Sequence, residues 1–567
     1  MAALERSSPA PALKSTRMLG LFRGRRGRRL RETLTAYIFV APAFLIIGLF
    51  GLFPIAFAVY VSLHRWRIKP GDYLGLDNYV KALDNLANVA AFWIVVILFL
   101  LAARTLLKAL RTAREHGDRP WAWLIPAAVT ALGITALVRF GVILLPGVLG
   151  VGDKAKGQER TQELFVRLLG EAWSAPEVQS ALRTALLILA AGLVLAYLVH
   201  RFLARSPRRF AYYTSFTMAL LFSIVALLLV RLTWLEIQRA YDAARESGES
   251  LEIWAQIVTI SAGFVLLGLS WWLWRSAARR DSNLSTILRL AAAAVLMVGA
   301  WVLVAELPRV VSAGDEDWWQ GLKVTTFYSA GTVPLQLGIS LLLATLLFQA
   351  IKGKAFFRLV YFLPYITPAV ATAAVFRVFF SSRPSAPINS VLRIFGADPL
   401  LWLDEPQGVF QMIAGSGVEL PTLLQGPSVA LVVIIIFNIW SYVGYDTVIF
   451  LAGLGGIPGE LYEAAAIDGA GRWAQFRNVT LPLLSPTTYF LTLLAVIGTF
   501  KAFNHVWVLR SGAALGTTDT ASVAIFVEFN RNTRYGYAAA LALVLLGVIL
   551  ILTIVNNRIA EERVFYG

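Results

Sequence analysis

At 567 residues, 58% of them hydrophobic and only 15% charged, the chain is too apolar to be a water-soluble domain. It has no cysteine, which excludes disulfides, cysteine-ligated zinc and thiol catalysis. A formal charge of +17 would suit nucleic acid, but the basic residues gather beside apolar runs without the interleaved aromatics of a nucleic-acid-binding face.

The N-terminal arm, residues 1–35, sets Arg6, Lys14, Arg17, Arg23, Arg25, Arg26, Arg28, Arg29 and Arg31 against Glu5 and Glu32 alone. Such an excess predicts a cytoplasmic N-terminus lying near anionic lipid. The first apolar run, 36–63, is long enough to cross a bilayer, and it is too long and too far along the chain for a cleaved signal peptide. Further spans are expected near 86–110, 121–150, 180–203, 211–235, 252–275, 284–306, 324–351, 359–380, 428–452, 482–504 and 536–557. The fold class is therefore an all-α integral membrane protein of about twelve transmembrane helices.

Loop charges support that count. Lys108, Arg111, Arg114 and Arg119 should lie inside, followed by Arg201, Arg205, Arg208 and Arg209, then Arg275, Arg279 and Arg280. Glu236, Asp242, Glu246 and Glu249 should lie outside, as should Asp315, Glu316 and Asp317. Both termini, including the tail 561–567, are then cytoplasmic. Arg139, within "ALVRFGV", marks either a broken or shifted helix or a functional residue.

One passage breaks the pattern of short loops. "ELYEAAAIDGAGRWAQFRNVTLPLLSP", Glu460 to Pro486, comes after a span that enters from outside, so it should lie in the cytoplasm. Its alanines favour a short helix starting near Pro458, and Asp468 to Gly471 should end it in a sharp turn, with Asp468 placed to cap the next helix. "RWAQFRNVTL" then reads as that second helix, with Trp473, Phe476 and Val479 at helical spacing, and Pro482 opens the next span. Two angled helices form a knob. Its small residues permit close approach, Glu463 and Arg472 offer charged hydrogen bonds, and Trp473 and Phe476 offer apolar anchors.

The passage resembles the EAA loop of binding-protein-dependent ABC importers, in the form found in carbohydrate permeases. The match lies in Tyr462, Glu463, Ala464, Ala465, Asp468, Gly469, Ala470, Phe476, Leu481 and Pro482. "GLDNYVKAL", "IWSYVGYDTVIFLAGLGGIP", "FKAFNHVWVL" and "YGYAAALALVLL" are similar to other segments of the larger, maltose-permease-like subunit. The resemblance implies a type I importer permease core. Its loop at 458–482 would be the coupling element for ABC ATPase subunits, with Arg472 beside the matched residues. It further implies a second EAA-type permease, an extracytoplasmic solute-binding protein, a sugar substrate and a prokaryotic inner membrane. "RSGAALGTTDT" stands where the family tends to have a Gly-Gly-Pro turn.

The family pattern would run 36–83 almost directly into 317–560, so 84–316 reads as an insertion of about six helices. Within the core spans, polar residues are the substrate candidates. Asn438, Tyr442 and Tyr445 share a helical face with Ser441 beside them, and Lys501, Asn504 and His505 cluster near the end of the next span. Matching family positions of Asn438 and Asn504 lie in the pathway. Amides, hydroxyls and rings suit a sugar; interhelical hydrogen bonding is the competing use of the same residues. Lys501 and Arg510 leave room for an anionic cargo such as a glycerol phosphodiester. Asp446 falls nearer the cytoplasmic end and is not expected to meet Lys501.

No nucleotide-binding G-x-x-x-x-G-K-[ST] loop, H-E-x-x-H or G-x-S-x-G occurs, so no catalytic residue, metal or cofactor is expected in this chain. A twelve-helix secondary transporter would leave the loop at 460–486 unexplained. A membrane glycosyltransferase would need an external loop with catalytic carboxylates, which 151–179 does not supply.

Overall fold

A computed structural model of the chain describes residues 25–159, 161–203, 209–248, 252–277, 283–349, 352–415, 417–421 and 424–563. The expectations placed on Arg6, Lys14, Arg17, Arg23, Arg205, Arg208, Arg279, Arg280, Glu249 and residues 564–567 lie outside the described residues. Among the described residues the secondary structure is helical, with two isolated bridges, His64 with Tyr73 and Gly408 with Ser428. Among the described residues, ten helices are long and apolar enough to cross a membrane, or up to twelve if two bent pairs are each counted as one span.

In chain order, α1 is Thr35–Ser62, α2 Leu86–His116, α3 Pro120–Lys154, α4 Pro176–Phe202 and α5 Phe210–Glu246. Then come α6 Ile253–Ala277, α7 Ser285–Ala313 and α8 Glu316–Phe348. The first bent pair is α9 Lys354–Ile366 with α10 Ala369–Phe379. After α11 (Val429–Gly455) comes the short α12 (Gly459–Ile467), and the second bent pair is α13 Arg472–Leu483 with α14 Ser485–Phe500. The short α15 (Asn504–Leu509) precedes α16, Tyr535–Glu561.

The chain divides into two compact units. One contains α1 and α16; the other runs from Leu74 to Ala524. In the first, α1 passes through a π-helical turn at Ile47–Leu52, and the chain beyond it folds back through Arg65 N–H to the Asp72 carbonyl at 2.8 Å. Rings of Tyr60, His64, Trp66 and Tyr73 meet there, and the Gly536 N–H donates to the Trp66 carbonyl at 3.0 Å, seating the start of α16.

In the second unit α2 packs along α5, α3 along α4 and α6 along α7. Ala109, Ala113, Trp123, Ala127, Tyr212 and Phe216 fill one contact, and Val89, Ile237, Ile257, Ile260 and Leu303 another. The α8 helix packs along α11 and α14 through Val333, Leu337, Phe450, Leu454, Leu484 and Leu491. Because lipid tails are as apolar as leucine, close packing and interhelical hydrogen bonds hold such contacts rather than removal from water. At the two ends of the α2–α7 group the chain meets itself, with the Asp315 N–H 3.3 Å from the Ala82 carbonyl.

Two sequence expectations change, and one open alternative closes. The span expected at 359–380 bends by 95° between α9 and α10, since Thr367 precedes Pro368 and is extended (φ −71°, ψ 144°). The span expected at 482–504 bends by 63° after Leu483 and its helix ends at Phe500. Pro486 lacks the N–H that would reach the Pro482 carbonyl, and its ring presses on that turn. Arg139 breaks nothing: the α-helix runs unbroken from Leu124 to Leu149 with Arg139 exposed on it. At 1.5 Å per residue it stands about 28 Å along α3 from Pro120.

Candidate functional site

The α11 helix starts where the Ser428 hydroxyl accepts the Leu431 N–H at 3.0 Å, and a run of β-branched residues carries it into the core. Gly444 lets the backbone of α9 come close. A Cβ there would stand 1.8 Å from the Tyr361 carbonyl oxygen, so no larger residue fits. That approach brings Tyr365, at the end of α9, over α11. Its ring stacks on Tyr445 at 4.6 Å and meets Tyr442 edge-on at 5.7 Å.

Beneath the tyrosines lies a cavity of about 370 Å³. Asn438, Tyr442, Tyr445, Lys501, Asn504 and His505 all line it, although α14 ends at Phe500 and α15 begins only at Asn504, so the last three do not share one helix. Ser441 does not line it. A residue at i+3 from Asn438 falls to the other side of the helical face from Tyr442 and Asp446, and Ser441 is buried there. Asp446 lines the same cavity as Lys501 but, as expected, forms no ion pair with it among the described residues.

A ladder of amides crosses the cavity wall. The Asn438 Nδ2 donates to Gln336 Oε1 at 3.0 Å, and Gln336 Nε2 donates to Asp446 Oδ2 at 2.6 Å. All three are buried, so each depends on the others for its hydrogen bonds. His505 is also held: its Nε2 lies 2.8 Å from the Tyr328 hydroxyl and its ring stacks on Phe437 at 5.2 Å. The Thr499 hydroxyl donates to Ser329 Oγ at 2.8 Å, pinning α14 to α8 beside the cavity. Lys501 and Asn504 are exposed to it, and Lys501 makes no ion pair among the described residues. Arg510 is occupied elsewhere, 2.8 Å from Asp519 and over the Trp507 ring at 4.7 Å.

Sequence reasoning missed Gln336 and Tyr365 and set Asp446 aside. Gln336 is a single amide deep in an apolar helix, and the rule that selected Asn438 would have selected it too. Tyr365 enters only through the bend before Pro368, which the apolar pattern did not reveal.

The second candidate surface is the passage after α11. Its first helix ends where Gly469 takes a left-handed backbone (φ +80°), with the Ala470 N–H on the Ala465 carbonyl at 2.9 Å and the Gly469 N–H on Ala466 at 3.0 Å. Asp468 closes this helix rather than capping the next. Gly471 stands at the N-cap of α13 with no side-chain bond. The Tyr462 hydroxyl meets Thr480 Oγ1 at 3.0 Å, joining the two helices, and Trp473 stacks on Phe476 at 5.6 Å. Glu463, Ala464, Asp468, Gly469, Arg472 and Pro482 are exposed, whereas Ala465, Tyr462 and Phe476 are half-buried. Ile467, at 86%, and Trp473, at 71%, are the most exposed large apolar side chains of the passage. Neither Glu463 nor Arg472 has an ion-pair partner among the described residues, so both charges face outward.

A family described as binding-protein-dependent transport system inner membrane component matches residues 336–564, which include the cavity and the passage. The chain is 33% identical over 258 residues to the probable ABC transporter permease protein YesP of Bacillus subtilis strain 168, covering 45% of this chain and 75% of that protein. It is 31% identical over 257 residues to the sn-glycerol-3-phosphate transport system permease protein UgpA of Agrobacterium fabrum, covering 45% and 79%. It is 29% identical over 255 residues to the trehalose/maltose transport system permease protein MalF of Thermococcus litoralis, covering 45% and 78%.

Proposed function

Because the chain belongs to the inner membrane components of binding-protein-dependent transport systems, among the ABC permeases for sugars, we propose that it forms one half of an ATP-driven import pathway. A second permease of the same type supplies the other half. A binding protein delivers the cargo, and ATPase subunits drive the cycle. The chain itself performs no covalent step. It converts closure of the ATPase into a change in which side the cavity faces. The cargo passes through the cavity of Asn438, Tyr442, Tyr445 and Lys501, and 458–482 docks in an ATPase groove on the cytoplasmic side, with both termini on that side. Residues 84–316 are an insertion into this core, and the meeting of Ala82 with Asp315 supports that reading.

The single observation that carries the substrate assignment is the amide ladder beneath tyrosine faces. Amides and a carboxylate offer donors and acceptors to hydroxyls, while the rings stack on the C–H faces of a sugar. Lys501 favours a second reading, in which the cargo carries a phosphate or carboxylate. Transport by Asn438→Leu decides the pathway. Uptake should be lost while the complex still assembles, and normal uptake would return Asn438 to helix packing. Uptake of a neutral oligosaccharide against a glycerol phosphate by Lys501→Gln separates the two cargoes. The coupling role is tested at Ala466, which is exposed in the chain alone. Ala466→Trp should insert normally but lose ATP-driven uptake, and normal coupling would remove the docking assignment.

A further inference from the structure

The end of α2 carries a feature that transport does not use. Arg104, Lys108 and Arg111 recur at i, i+4 and i+7, so they form one stripe on the helix. The same stripe continues toward the middle of α2 as Leu100 and Ala103, and Leu107 lies on it between Arg104 and Lys108. These residues line a shallow, open groove of about 600 Å³ along one face of α2, with Glu115 at its outer end. The three cations are exposed and form no ion pair among the described residues.

Depth fixes what such a groove meets. At 1.5 Å per residue Arg104 stands about 27 Å along α2 from Leu86, close to the hydrocarbon thickness of about 30 Å. The cations therefore begin where the hydrocarbon ends. Trp121, 59% exposed at the start of α3, marks the same boundary, as interfacial tryptophans do. Three cations against one carboxylate leave the groove with a net charge of about +2 at headgroup level, over an apolar floor at acyl-chain level.

We propose that this groove is a binding site for an anionic phospholipid, its phosphate held by Arg104, Lys108 and Arg111 and its acyl chain lying along Leu100 and Ala103. A soluble anion would satisfy the cations and leave the apolar half of the stripe without a ligand. A neutral lipid would do the reverse. Only an amphiphile of negative charge fits both. The site lies in the inserted helices and stands apart from the cavity, so its occupancy is independent of the cargo assignment.

The test is native mass spectrometry of the full chain, purified in detergent and titrated with phosphatidylglycerol, phosphatidylcholine or inorganic phosphate. Phosphatidylglycerol should be retained in preference to phosphatidylcholine. The triple variant Arg104→Gln, Lys108→Gln, Arg111→Gln should lower its retention about tenfold or more, since each basic residue contributes at headgroup depth. Arg114→Gln, off the stripe, should leave it unchanged. Equal retention of the two lipids, an unaffected triple variant, or displacement of the lipid by inorganic phosphate alone would overturn the site. If the triple variant fails to insert, Lys108→Gln alone and a salt series on the unaltered chain give the same readout. Retention must fall with either one.

Discussion

In an apolar 18-residue stretch of α11, 67% of the residues are buried; in the corresponding stretches of α4 and α5 the figure is 11%. The first belongs to the helices around the cavity, the other two to the α2–α7 group. Around the cavity, amides, hydroxyls and a carboxylate are drawn inward and tied to one another through Gln336, Asp446, Ser329 and Thr499. In the α2–α7 group the helices pair mainly by close apolar packing, with a few hydrogen bonds such as Tyr213 with Thr130. They turn broad leucine and valine faces outward, such as Leu187 at 71% and Leu193 at 59% exposed. The two regions draw their stability from different contacts. A core built on buried polar pairs fails when a single partner is removed, because the other is left unsatisfied in a medium without water. A group that meets lipid on most of its surface tolerates change there.

Substitutions in matched pairs sharpen that contrast. The largest effect is expected at Gly444→Val, whose Cβ would enter the Tyr361 carbonyl; a loss of about 3 kcal/mol or more should abolish folded, monodisperse protein in size-exclusion chromatography. Leu187→Ala on α4 should move stability by no more than about 0.5 kcal/mol. A Gly444→Val chain as stable as the parent would break the comparison at its strongest point.

Next is Gln336→Leu. It strands Asn438 and Asp446 at once, so it should cost about 1–3 kcal/mol for each buried group and end uptake, measured by thermal unfolding in detergent and by flux. Its counterpart in the other region is Tyr213→Phe, which loses the 2.8 Å bond to Thr130. There the loss should be about 0.6 kcal/mol with uptake unchanged. Equal losses at the two sites would mean that polar pairing matters no more around the cavity than elsewhere.

The smallest effects fall on the projecting passage. Tyr462→Phe removes one partly buried bond to Thr480 and should cost about 0.5–1.5 kcal/mol locally. Gly469→Ala should cost about 1 kcal/mol at its left-handed backbone. Both should lower the ratio of cargo imported to ATP hydrolysed without lowering insertion, read from paired uptake and hydrolysis assays in vesicles.

Much of the fold was legible in the sequence. Apolar runs and loop charges marked the helices, since a bilayer imposes a minimum length on whatever crosses it. The left-handed turn at Gly469 and the helix starting after Pro458 came from local chemistry. Two bent helices were not legible, because hydropathy is blind to direction and reads Lys354 to Phe379 as one apolar run. The cavity was half legible. Asn438, Tyr442 and Tyr445 share a period that a single helix reveals. Gln336 and Tyr365 come from other helices, and only their crossing brings them to the same wall. Ser441 shows the limit of adjacency, as one residue's rotation removed it from the site.

We assign transport to the helices around the cavity and the passage after α11, with the α2–α7 group an addition to them. Excising Asp84 to Ala313 and joining Leu83 to Gly314 tests it most directly, because Ala82 and Asp315 already touch across the proposed join. The shortened chain should insert, assemble with its partner permease and ATPase, and still import cargo when ATP is supplied to reconstituted vesicles. A shortened chain that assembles but imports nothing would contradict the claim.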